Sequence, residues 1–77
     1  MFDSFGGIRI YVYDFDHPPP HFHAISAEFE AQISIETLEI LRGEMPPGKL
    51  KKIRRWARQN QASLLLEFEI LNPHLKR

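Results

Sequence analysis

Three of the chain's four histidines, His17, His21 and His23, fall within seven residues, and two acids, Asp14 and Asp16, stand just before them. Imidazole titrates near neutral pH and ligates divalent metals, so this density points to proton transfer or to metal binding. On an extended strand His21 and His23 would project from one face, with Cα atoms roughly 6.5–7 Å apart, close enough for both rings to converge on one ion. Phe22, between them, would point into the core and fix their orientation. His17 lies beyond Pro18-Pro19-Pro20, a stiff extended segment that could fold it back towards the pair.

Residue types alone leave three chemistries open. Two or three of His17, His21 and His23, with Asp14, Asp16 or Glu28, could hold Zn²⁺, Mn²⁺ or Fe²⁺ with one position open. A divalent metal would then be the cofactor, although nothing in the sequence requires one. Alternatively, one imidazole could act as base and another as acid, beside Tyr11, Tyr13, Arg9 or a basic helix, and cleave a phosphodiester. In the third reading the histidines hydrogen-bond the backbone and hold an unusual proline loop. The absence of cysteine removes disulfides, thiolate nucleophiles and every Cys-based zinc site.

The formal charge is zero, with ten Lys/Arg against ten Asp/Glu, but it is unevenly spread. Residues 1–41 hold seven acids and one base; residues 42–77 hold nine bases and three acids. Six of those bases fall in the ten residues from Lys49 to Arg58, uninterrupted by an acid. Lys51, Arg54, Arg55 and Arg58 share one helical face and are the candidate phosphate- or partner-binding residues. The split suits a polyanion, an acidic partner protein or a second copy of the chain.

These groups need elements to position them. Ile8 to Tyr13 alternates with β-branched and aromatic residues and reads as a strand after a flexible Gly6-Gly7 lead-in. The three prolines exclude residues 14–20 from a ladder. His21–Ile25 and Phe29–Ile35 read as strands joined by a tight turn at Ser26-Ala27-Glu28, which lacks the favoured Asn-Gly pair. A short strand near Glu39–Arg42 follows and ends at Gly43. From Pro47 the period becomes helical: Leu50, Ile53, Ala57 and Leu64 share one sector with Trp56 on its flank. Leu64, Phe68 and Leu71 continue the stripe to Asn72-Pro73. Asn60-Gln61-Ala62-Ser63 reads either as a bend in one helix or as a break into two helices with Asn60 or Ser63 as cap. The prediction is a single small α+β domain over residues 1–77. An antiparallel meander of three or four strands (8–42) precedes one or two helices (47–71) packed on one sheet face.

Seventy-seven residues, 9.1 kDa, make one domain. Area scaling predicts roughly 4,900 Å² folded against roughly 13,200 Å² unfolded, enough burial to fold but with little margin. No apolar run reaches the length of a membrane span, and Met1-Phe2-Asp3-Ser4 carries no basic signal-peptide region, so a cytoplasmic protein without membrane contact is expected.

The run Asp16-His17-Pro18-Pro19-Pro20-His21-Phe22-His23, followed by residues 30–46 (EAQISIETLEILRGEMP), resembles the bacterial family called domain of unknown function 4160. His17, Pro19, Pro20, His21, Phe22 and His23 match its signature positions, and Trp56 with the Leu64–Leu66 cluster is also similar. The chain departs from it at Ser26-Ala27-Glu28, where relatives carry a glycine-containing turn. The resemblance implies a small α+β protein, encoded beside a second small protein and associated with toxin–antitoxin modules; it supplies no catalytic residues.

The combined expectation is the toxin-side component of a toxin–antitoxin-like pair. It would be a ribonuclease in which His17, His21 and His23 handle protons while Lys51, Arg54, Arg55 or Arg58 bind RNA phosphate. Its partner would be a small antitoxin-like protein or a second copy. The competing expectations are a non-catalytic module whose basic helix docks an acidic partner or second copy, and a His/carboxylate metal-binding protein.

Overall fold

The computed structural model describes residues 1–14 and 16–75, the side chain of Leu75 excepted. Five strands precede the helices: β1 (Asp3–Phe5), β2 (Ile8–Tyr11), β3 (His21–Ser26), β4 (Phe29–Ser34) and β5 (Ile40–Gly43). They form one antiparallel meander in the order β1-β2-β3-β4-β5. Helices α1 (Pro47–Arg58) and α2 (Gln61–Leu71) follow, and a short 3-10 turn covers Pro73–Leu75. The accessible surface, 5016 Å², is close to the area expected from mass.

The α+β class and the strands-then-helices order are as the sequence predicts, but the sheet has five strands rather than three or four. The additional one is β1, whose Ser4 pairs with Arg9. Gly6 and Gly7, both at positive φ, are therefore the turn of the first hairpin and not a lead-in. Gly43 closes β5 and does not interrupt it: its φ of +81 is left-handed, and a Cβ there would run into the Glu30 carbonyl oxygen. β5 also carries one extra residue, since Ile33 pairs with Ile40 but Gln32 pairs with Arg42.

Strand register sets the two faces. Ile10, Ala24 and Ala31 pair across one face, as do Phe22 and Ile33, and all five are buried in the core. Ile53 and Ala57 from α1 and Leu64 and Phe68 from α2 complete that core, as the helical stripe requires. Trp56 sits at the core's rim, stacked on Phe5 with ring centroids 5.2 Å apart, and its indole N–H donates to Asp3 Oδ2 at 2.9 Å. Residues 47–71 form two helices. Asn60 precedes α2, but its side chain makes no cap and donates back to the Trp56 carbonyl oxygen. Among the described residues no helix is long and apolar enough to cross a membrane.

The β3–β4 hairpin turns on two residues, Ala27 and Glu28, with Ala27 at φ +52. Two-residue hairpin loops need a left-handed first position, which costs an L-residue about 1–2 kcal/mol and glycine almost nothing. Ala27→Gly is expected to stabilise the domain by about 0.5–1 kcal/mol, raising Tm by about 2–8 °C. Gly43→Ala should lower stability by about 2 kcal/mol or more. Thermal unfolding of both variants checks the pair, and equal Tm values would contradict it.

Candidate metal centre

The period of β3 places Phe22 in the helix-covered core and turns His21 and His23 to the opposite face, where His23 pairs with Tyr11 on one side and Gln32 on the other. A sheet face without helices would leave both histidines wet. Instead, residues 12–14 and 16–20 between β2 and β3 lie over this end of the sheet, and His21 and His23 are 1% and 6% exposed. Tyr13 lies edge-on against His23 at 4.5 Å, and Phe68 reaches the His21 ring at 5.7 Å. Burial along β3 is nearly continuous for this reason.

Asp16 joins the two rings. Its Oδ2 stands 3.0 Å from His21 Nε2 and 3.0 Å from His23 Nε2. The His23 contact has hydrogen-bond geometry, so Nε2–H donates to the carboxylate. The His21 contact does not. That ring instead donates from Nδ1 to the Pro19 carbonyl oxygen at 2.8 Å, an acceptor that fixes the proton on Nδ1. Among the described residues two buried ring nitrogens are left without a hydrogen-bond partner, His21 Nε2 and His23 Nδ1. Glu30 Oε2 stands 4.0 Å from His23 Nδ1, beyond hydrogen-bond reach. Burial alone would push the Asp16 carboxyl up. The His23 hydrogen bond, the His17 backbone N–H and the charges of His21 and His23 outweigh burial and hold it below the usual carboxylate range. Burial, with Glu30, Tyr11 and Asp16 nearby, pushes the Tyr13 phenol up, so Tyr13 stays neutral beside the site.

Asp16, His21 and His23 each offer a ligand atom, and these lie within 4.8 Å of one another. Two imidazoles and one carboxylate suit Zn²⁺ or Fe²⁺. His17 approaches from outside: it is 64% exposed, its Nδ1 is 3.3 Å from the other Asp16 oxygen, Oδ1, and its ring is 5.5 Å from that of His21. Asp14 is exposed and Glu28 lies in the hairpin turn. The sequence reading brought these acids forward without separating them, and the structure brings Asp16 to the histidines.

The basic residues are placed differently. Arg54 and Arg58 line an open depression of about 530 Å³ with Glu36, Thr37, Leu38, Glu39 and Gln61, and no histidine contributes to it. Arg54 is partly structural, donating from Nε to the Leu38 carbonyl oxygen. Lys51, Arg55 and Arg58 are exposed on α1.

Asn72 is the residue that sequence reasoning missed. It is buried at the end of α2, and its Oδ1 accepts the Asp16 backbone N–H at 2.6 Å. Its Nδ2 donates to the carbonyl oxygens of Tyr13 and Phe68 at 2.9 Å each. The only sequence signal was Asn72-Pro73 as a helix stop. Asn72→Ala would strand one buried and two part-buried backbone groups, so a loss of about 2–3 kcal/mol is expected in thermal unfolding. Hydrogen exchange gives the specific readout: the Asp16 amide should be protected in the wild type and exchange rapidly in the variant.

Comparison with known proteins agrees with the motif. The family described as a domain of unknown function (DUF4160) matches residues 7–69, from the first hairpin turn through most of α2. No curated protein and no solved structure matches the chain. With 63 of 77 residues covered, the chain belongs to this family of domains of unknown function.

Proposed function

We propose that the protein binds a divalent transition metal through Asp16, His21 and His23. One observation carries the reading: an ion beside the Asp16 carboxylate would give the buried, unpartnered His21 Nε2 its partner. His21 already donates its Nδ1 proton to the Pro19 carbonyl oxygen, the outer-shell bond that orients a metal-ligating imidazole, and presents Nε2 to the Asp16 carboxylate. If His23 ligates through Nε2, its remaining proton moves to Nδ1, where exposed Glu30 can swing in as acceptor. The separation of 3.0 Å between Asp16 Oδ2 and each Nε2 is within a few tenths of the about 3.3 Å between neighbouring ligands of a tetrahedral zinc site.

Metal-free acid–base chemistry fits less well, because a general acid or base must reach its substrate. His21 and His23 are buried, and His17 alone of the three exposes its ring. In a toxin–antitoxin-like module, the setting implied by the family resemblance, this domain would act as a metal-stabilised binding component. Protein purified without a polyhistidine tag should carry one metal ion per chain by elemental analysis. Metal at 100 times its Kd should add about 2.7 kcal/mol to stability, reversed by chelator. His23→Ala should abolish the gain. A metal-free wild type whose Tm ignores added Zn²⁺, Fe²⁺ and Mn²⁺ would refute the reading.

A second reading concerns the surface. Leu66 and Ile70, one turn apart on α2, are 59% and 62% exposed, while α1 exposes Lys51, Lys52, Arg55 and Arg58. The chain's own N-terminal half supplies the complementary charge, which favours a second copy as the occupant. Sedimentation at rising concentration should show a dimer that weakens between low and high salt. A salt-insensitive monomer would overturn the self-association.

A further inference from the structure

We infer that His17 is the fourth protein ligand of this centre, which makes it a closed tetrahedral site of zinc type that locks the β2–β3 loop. The inference rests on the metal reading of Asp16, His21 and His23 and adds a ligand, a coordination geometry and a structural role.

Three ligands leave a tetrahedral ion one short, and the missing donor must come from the side that the sheet and α2 do not cover. His17 stands there. Its backbone N–H donates to Asp16 Oδ1 at 3.0 Å, which fastens its main chain to the carboxylate that would share the ion. Its ring is within 5.5 Å of the His21 ring and its Nδ1 within 3.3 Å of Asp16 Oδ1. Because the side chain is 64% exposed, rotation towards the ion displaces water and no packed neighbour. Pro18 and Pro19 follow with restricted φ, so the segment carrying His17 is already confined.

Other donors are less suited. Glu30 approaches the Nδ1 side of His23, away from the Asp16 carboxylate, where it can swing in as acceptor. Asp14 is exposed, and the convergent ligand atoms come from Asp16, His21 and His23. Three imidazoles and one carboxylate form an all-N/O tetrahedral set that satisfies Zn²⁺ without a water ligand, the arrangement of a structural rather than a hydrolytic site. The site would staple the segment that carries Asp16 and His17, whose described residues form no strand or helix, onto a domain short of apolar core.

Co²⁺, which reports geometry in the visible spectrum, can be titrated into the tag-free full chain. The wild type should take up one Co²⁺ with the intense bands of tetrahedral coordination, and Zn²⁺ should displace it. His17→Ala, at an exposed position, should fold normally by circular dichroism and still bind Co²⁺. Its bands should weaken to those of a five- or six-coordinate ion, and its affinity should fall by more than about 10-fold. A wild type that takes up no Co²⁺ overturns the metal reading and this inference with it. A wild type and a His17→Ala variant with the same spectrum and affinity overturn the fourth ligand alone and leave the three-ligand site standing.

Discussion

A carboxylate withdrawn from water has to be paired, and the pairing of Asp16 decides how one side of this molecule is built. Its Oδ2 lies between the Nε2 atoms of His21 and His23, its Oδ1 accepts the His17 backbone N–H, and its own backbone N–H is held by Asn72. Uncompensated, such a group would cost several kcal/mol. Each partner comes from a different element: the start of β3, the loop itself and the end of α2. The carboxylate can be satisfied only when Asp16 and His17, the third strand and the C-terminal end of α2 are all in place. This polar junction substitutes for the apolar contacts that the loop lacks.

The sheet consequently has two unlike coverings. On one face the core is apolar, with Ile8, Ile10, Phe22, Ala24 and Ile33 under Ile53, Ala57, Leu64 and Phe68. On the other, at the N-terminal end of β3, a loop and three histidines do the covering. β3 is the strand that feels both, so its alternation of imidazole and apolar residues over His21–Ala24 produces two kinds of interior. The C-terminal helix reaches the second through the Phe68 ring against His21 and through Asn72, whose amide makes the hydrogen bonds. At the opposite end of the sheet, the Trp56 indole N–H bonded to Asp3 does the comparable work of tying β1 to α1.

What was readable in the sequence follows the range of each interaction. The period-two pattern of β2, β3 and β4 and the 3.6-period stripe of Leu50, Ile53, Ala57, Leu64 and Phe68 are local, and both were legible. So was the common face of His21 and His23, because strand geometry alone dictates it. β1 was not legible: Asp3-Ser4-Phe5 is too short to show a period, and Gly6-Gly7 looked like slack chain until a partner strand lay before it. Asn60 was in the right place for a cap but found a nearer acceptor in the Trp56 carbonyl oxygen. The selection of Asp16 over Asp14 and the contribution of Asn72 depend on a contact spanning 56 positions, for which no local pattern exists.

The uneven charge distribution takes on a different meaning once the site is located. A divalent ion held by one carboxylate and neutral imidazoles would leave net positive charge in a poorly solvated place, and nearby acids would have to offset it. Glu30 beside His23 Nδ1 is such an acid, and the sheet half as a whole carries seven acids against one base. The bases are gathered on α1, where Arg54 and Arg58 face the turn at residues 36–39 and not the histidines. A basic helix against the centre would compete electrostatically with a cation there. The segregation therefore suits a cation at the histidines, since Arg54 and Arg58 stand at the 36–39 turn and a chain of zero net charge keeps most of its acids in the sheet half.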